Sequence, residues 1–264
     1  MPTGQRDVVH SGTRCFVKCL KTNNSIHCWE LINETDELLT AVRHLYETAL
    51  DAAERVPWEW LEHGVKTRRD WKPGTTNRHL MVATTPAGEL AGFAFALYLP
   101  GYGGYVSYIA TDPRFRGQGV ANKLFRFAYQ VMRVDAMACN ESLPLVIWES
   151  HDPGAGHEKL WLARMRLFEH VGGFRIDGVT LPSPNWLDEN APPVLLKLFL
   201  APQDEPWNNF DSARVRQAVD GLLRRVYRAE PGEQEYDETL TTGCHPRLKR
   251  PTDRLTDGGL VRAG

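Results

Sequence analysis

The chain has 264 residues, 42% of them hydrophobic and 24% charged, which excludes a disordered polymer and allows a real buried core. Its 31 basic and 33 acidic side chains leave a formal charge of -2, so bulk electrostatics give no support to a nucleic-acid or membrane-surface partner. Five cysteines without a CxxC pair do not form a disulfide scaffold, and a reducing cytoplasm fits them best.

Residues 1–12 are polar, lack an apolar signal core and read as a flexible leader. Residues 15–20 and 25–32 read as strands. Asp36 can cap a helix running to about Arg55, with Leu38, Leu39, Val42, Leu45, Tyr46, Ala49 and Ala53 on one face. Pro57 can open a second short helix holding Trp58, Trp60 and Leu61. A strand is expected at 79–85, a turn at Pro86-Ala87-Gly88, and further strands at 89–99 and 105–110. Residues 90–110 carry no charge and have the length of a membrane span, but Pro100-Gly101 and Gly103-Gly104 break the middle, so two buried strands are expected instead. A helix follows at 120–138, then a strand at 143–148, a helix at 157–171 and strands at 174–179 and 194–200. Residues 210–229 form one amphipathic helix with Val215, Ala218, Val219, Leu222, Val226 and Tyr227 on one face. Residues 231–264, rich in Gly, Pro, Thr and charge, read as a mobile tail.

The chemistry concentrates in Arg114-Phe115-Arg116-Gly117-Gln118-Gly119-Val120-Ala121, at the joint between a strand and a helix. Two glycines one residue apart let the backbone approach a phosphate, and the first amides of the helix point at that anion. Arg114 and Arg116 add positive charge. The same glycines also suit an ordinary strand-to-helix turn.

With its flanks, this loop resembles the cofactor motif of the GNAT superfamily of N-acetyltransferases, R/Q-x-x-G-x-G/A. Here it reads Arg114-x-x-Gly117-x-Gly119, preceded by Ile109-Ala110-Thr111-Asp112-Pro113. A second resemblance lies in Arg166 to Phe174, a helix ending in Gly172-Gly173-Phe174. The resemblance spans roughly residues 15–200. It implies a mixed α/β fold with a centrally splayed sheet flanked by helices: a GNAT domain at 13–202, a C-terminal helical extension at 203–230 and a tail at 231–264. It also implies acetyl transfer from acetyl-coenzyme A, the co-substrate, to an amine. By that resemblance the amides of Arg116, Gly117, Gln118, Gly119, Val120 and Ala121 hold the pyrophosphate. The backbone of Ile109, Ala110 and Thr111 meets the pantetheine arm, Asn122 and Lys123 add phosphate contacts, and the thioester enters an opening between the 105–110 and 143–148 strands.

A protonated amine must lose a proton before it attacks, which calls for a base. Glu149, after the apolar run Leu145 to Trp148, is the candidate, acting through a water; it also fits a strand-end surface acid paired with Arg164 or Arg166. The superfamily's tyrosine acid is absent, and Phe168 stands in its place. A phenyl ring cannot donate a proton, so Phe168 reads as a packing residue. The corresponding glutamate of histone-type members is also absent from the strand at 105–110, where Tyr105 and Tyr108 read as core or as acceptor contacts. Ser150-His151-Asp152 cannot form a triad on one strand because adjacent side chains point to opposite faces, and His151 reads as a loop residue. His10, Cys15, Cys19, His27 and Cys28 match no zinc spacing, so no metal is expected. Trp58, Trp60, Trp71 and Trp148 suggest an aromatic acceptor cleft or plain packing. The apolar face of the C-terminal helix calls for a partner surface, either the last strand or a second copy in a homodimer. A non-catalytic acyl-coenzyme A sensor remains the alternative, and a scaffold that binds a protein through its C-terminal helix the third reading.

Overall fold

The computed structural model describes residues 9–11, 14–16, 26–33, 37–188, 190–233, 236–237, 239 and 246–252. They fall into two compact units. The first runs to Val146 and takes in Ser183–Val194; the second comprises Ile147–Pro182 and the residues from Leu195 onward.

The first unit is an antiparallel meander whose strands are neighbours in chain order: β1 (Val9–Ser11), β2 (Arg14–Phe16), β3 (His27–Leu31), β4 (Asn77–Thr84), β5 (Leu90–Leu99) and β6 (Gly103–Thr111). The expected 15–20 strand is described only as far as Phe16. Alternation along β4 sends Leu80 and Val82 to a core shared with α1 (Glu37–Ala49) and α2 (Trp58–Thr67), where Val42, Tyr46, Leu61, Val65, Phe93 and Phe95 meet them. The opposite face of β4 carries Asn77, His79 and Met81, all buried, and His79 and Asn77 bond there to α3 (Val120–Ala138). With both faces covered, β5 reads as a continuous apolar run. The uncharged stretch 90–110 is therefore a pair of strands, and no helix among the described residues is long and apolar enough to cross a membrane.

Helix α1 stops at Ala49, short of the expected Arg55. Asp51 accepts a hydrogen bond from the Ala53 N–H at 2.9 Å and starts a separate 3-10 turn at Ala52–Glu54. A short acid that bonds nearby amides competes with the helix ladder. Asp36, the expected cap, lies outside the described residues. Helix α3 spans the expected residues.

The second unit contains β7 (Leu145–His151) from Ile147 on, α4 (Glu158–His170), β8 (Phe174–Ser183), β9 (Val194–Pro202), α5 (Ser212–Leu222) and β10 (Arg247–Lys249). Its strands lie in the order β7, β9, β8, β10. Strand β7 extends three residues beyond the expected end, so Ser150 and His151 belong to the strand and His151 is not a loop residue. The core gathers Trp148, Phe168 and Phe199: Phe168 lies 5.4 Å from Trp148 and 4.7 Å from Phe199, ring centre to ring centre. Gly173 follows the turn after α4, where a Cβ would meet Trp148 Cζ2 at 2.6 Å and Phe168 O at 2.9 Å. Only glycine lets the chain pass this close to the indole.

The C-terminal helix is not one α-helix over 210–229. Asp211 caps α5 by accepting from the Arg214 N–H at 2.8 Å, the helix widens into a single π turn at Leu223–Tyr227, and Arg228 ends it with φ of 61°. Val215, Ala218, Val219 and Leu222 are buried within the same chain. Part of the expected tail is also ordered into the sheet. β10 pairs antiparallel with β8, and Lys249 Nζ lies 2.7 Å from Asp177 Oδ2. Three residues with a charge partner on the adjacent strand suffice to extend the ladder, which Gly- and Pro-rich composition alone does not reveal.

Candidate functional site

Beyond β6 the chain turns on Asp112, whose Oδ1 accepts from the Arg114 N–H at 2.8 Å and caps a 3-10 turn at Pro113–Phe115. Gly117 and Gly119 then adopt left-handed backbone with φ of 77° and 75°, a conformation that costs any residue with a Cβ. Nothing lies within 4 Å of where a Cβ would project from either, so the loop is open on that side. The first helical bond runs from the Lys123 N–H to Gly119 O at 3.1 Å. None of the described residues accepts from the N–H groups of Gly117, Gly119, Val120, Ala121 or Asn122. Unfilled amides at a helix N-terminus, behind an open surface, have the geometry of a cradle that suits an anion.

The side chains contribute less than expected. Arg114 is not free for a phosphate: its guanidinium is bonded to Asp112, Nε to Oδ1 at 3.1 Å and Nη2 to Oδ2 at 3.0 Å, with Glu89 at 3.5 Å. The bond from Arg114 holds the Asp112 carboxyl below its ordinary range. Arg116 and Gln118 are exposed, and Gln118 Nε2 reaches back to Arg114 O at 3.4 Å. Asn122 Oδ1 accepts from Arg126 Nε at 3.0 Å, and Lys123 is half-buried. On β6, Ile109, Ala110 and Thr111 pair with Ala94, Phe93 and Gly92 of β5. The β5–β6 register shifts between Phe95 and Ala96, which pair with Tyr108 and Val106 and so leave Ser107 as a bulge three residues before Ala110.

In the second unit, Glu149 is half-buried on β7 and its Oε1 accepts from the Tyr227 hydroxyl at 3.1 Å. Of the two arginines expected as its partner, Arg164 goes elsewhere: its Nη1 donates to Ser150 Oγ at 3.3 Å and to His151 O at 3.1 Å. Phe168 is buried, in keeping with a packing role.

Residues 39–147 match the model of the acetyltransferase (GNAT) family. Over that stretch the chain is similar to the GNAT acetyltransferases. The family implies acetyl transfer from acetyl-coenzyme A. No curated protein matches the chain. Among solved structures, a protein described as a GNAT-family acetyltransferase from Bacteroides thetaiotaomicron shares the fold with a TM-score of 0.51 at 14% identity, over 78% of this chain and 100% of its own. A protein described as an acetyltransferase from Acinetobacter baylyi ADP1 gives 0.49 at 14% identity, over 70% and 97%. One described as a streptothricin acetyltransferase from Bacillus anthracis str. Ames, in complex with acetyl coenzyme A, gives 0.36 at 18% identity, over 48% and 64%.

The aromatic residues have separate placements. Tyr108 is structural: its hydroxyl donates to Glu54 O and accepts from the Val56 N–H, both at 3.0 Å, and its ring stands edge-on to Tyr46. Trp58 is buried in the first core and Trp148 in the second, while Trp71 Nε1 donates to Thr75 O at 2.8 Å. Trp60 is 55% exposed and meets Trp186 edge-on at 5.4 Å.

Sequence reasoning missed one buried polar cluster. His79 lies between Glu30 and Asp135, all three buried, and Arg68 reaches Glu30 with Nε at 2.5 Å. Burial pushes His79 down, but the two carboxylates outweigh it and hold the imidazole up at about 9. Burial likewise raises Glu30, and His79 with Arg68 pull it below its ordinary range. A signal existed: Glu30 in a short apolar strand and Asp135 on the apolar stripe of α3 are charges where apolar residues belong.

Proposed function

We propose that the chain transfers an acetyl group from acetyl-coenzyme A to a primary amine of a small molecule or protein, directly, in a ternary complex. The open amides after Gly117 and Gly119 carry this reading, since they suit a pyrophosphate and leave nothing of the chain in its way. In it, the N–H groups of Gly117, Gly119, Val120 and Ala121 hold the pyrophosphate, Arg116 and Lys123 add charge at its edge, and the backbone of Ile109 and Thr111 meets the pantetheine arm. Acetyl-coenzyme A supplies the thioester carbonyl that the amine attacks. Glu149, a half-buried carboxylate at the end of an apolar strand, takes the amine's proton through a water. The departing thiolate leaves without a tyrosine acid, as its modest basicity permits.

Isothermal titration with acetyl-coenzyme A, with free coenzyme A as companion ligand, tests the first half. Saturable one-to-one binding is expected; no heat at two temperatures removes the basis of the reading. Release of coenzyme A over a panel of primary amines tests the second half. Binding without release from any amine would favour a non-catalytic acyl-coenzyme A sensor, the reading that the Phe168 position keeps in view.

A further inference from the structure

We infer that Tyr227, delivered by the π turn at the end of α5, is the positioning residue for Glu149; this deepens the acetyltransferase reading above and rests on it. The two residues are 78 apart in sequence, and the phenol donates to Glu149 Oε1 at 3.1 Å. A straight continuation of α5 would place residue 226, four beyond the buried Leu222, on the inward side. The i→i+5 turn adds one residue, and Tyr227 reaches Glu149 instead.

The turn is closed firmly. The N–H groups of Arg228 and Ala229 both converge on Leu223 O, and Arg228 holds a left-handed backbone that disfavours a residue with a Cβ. Both features are less favourable than plain α-helix, and the contact they secure is the one between Tyr227 and Glu149. Arg164 braces the same strand end from α4 by bonding to Ser150 Oγ and His151 O. A water-mediated base must keep one lone pair aimed along a fixed line. A phenol bonded to one carboxylate oxygen fixes the carboxylate plane and therefore the direction of the other oxygen.

The test compares Tyr227→Phe, which removes one hydroxyl, with Glu149→Gln and with the double variant. Turnover is read as coenzyme A thiol release on whichever amine reacts fastest in a panel of diamines, polyamines, lysine peptides and aromatic amines. The Tyr227→Phe variant is expected to lose about tenfold in kcat with KM for acetyl-coenzyme A and melting temperature unchanged. The double variant is expected to be no slower than Glu149→Gln alone, because the hydroxyl acts only through that carboxylate. Wild-type kcat in Tyr227→Phe, multiplicative losses in the double variant, or unfolding of Tyr227→Phe would each overturn the positioning role and leave Glu149 as base untouched. Unchanged turnover in Glu149→Gln would remove the base and this inference with it. No release from any amine in the wild-type protein would remove the enzyme reading itself.

Discussion

His79 Nε2 stands 2.5 Å from Asp135 Oδ2, tying β4 to α3, the helix whose first turn forms the anion cradle. Its Nδ1 stands 2.7 Å from Glu30 Oε1, so an imidazolium can donate from both nitrogens at once. The folded-state value of about 9 lies above the ordinary 6.5, so the stabilisation is complete below about pH 6.5 and is lost as pH rises to about 9. Urea midpoints measured from pH 6 to 10 should fall across that window. His79→Gln should flatten the fall and cost about 3–5 kcal/mol at pH 6, because buried Asp135 loses its counter-charge and Glu30 keeps only Arg68. An equal slope in both proteins would show that His79 does not titrate there.

The loop glycines should matter to binding more than to folding. Gly119→Ala places a Cβ in left-handed backbone at a strain of about 1–2 kcal/mol, and projects it into the open side of the cradle. Titration calorimetry should show at least tenfold weaker acetyl-coenzyme A binding, or about 1.4 kcal/mol. Arg114→Ala should change affinity much less, since that guanidinium is already engaged by Asp112. The reverse ranking would return the phosphate contact to the arginine.

Restoring the superfamily's tyrosine at position 168 should not restore an acid. The Phe168 ring is buried against Trp148 and Phe199, so a new hydroxyl would enter an apolar core. Phe168→Tyr should destabilise the protein by about 1–3 kcal/mol without raising kcat. A faster Phe168→Tyr variant would place that position at the reacting atoms.

Gly173→Ala should cost about 1–3 kcal/mol, because the added methyl overlaps the Trp148 indole and Phe168 O. Denaturant titration gives the magnitude, and near-ultraviolet dichroism of Trp148 should change with it. An unperturbed Trp148 signal would mean that the turn after α4 can shift away from the ring.

Local signals carried the strand–loop–helix reading well. Gly117 and Gly119 announce left-handed turns, and the buried face of α3 is apolar except at Asp135, so the loop and the helix after it were legible residue by residue. Long-range placement was not. Nothing near Tyr227 encodes the π turn, since the widening shows only in the hydrogen-bond ladder and Tyr227 finds its partner 78 residues away. The paired state of Arg114 depends on Asp112 and Glu89 being folded onto one surface, and β10 depends on a partner strand some seventy residues earlier. Glu149 stands out by its place after four apolar residues, but its hydrogen bond with Tyr227 does not show in the sequence.

The cradle's donors belong to the main chain, and this sets what descent must preserve there. Every residue except proline supplies the same peptide N–H, so positions 120, 121 and 122 can change identity without removing a donor. What the loop geometry requires is a pair of torsion angles at Gly117 and Gly119 rather than a set of functional groups. Two chains can therefore drift far apart in residue identity at such a loop and still offer a polyanion the same shape.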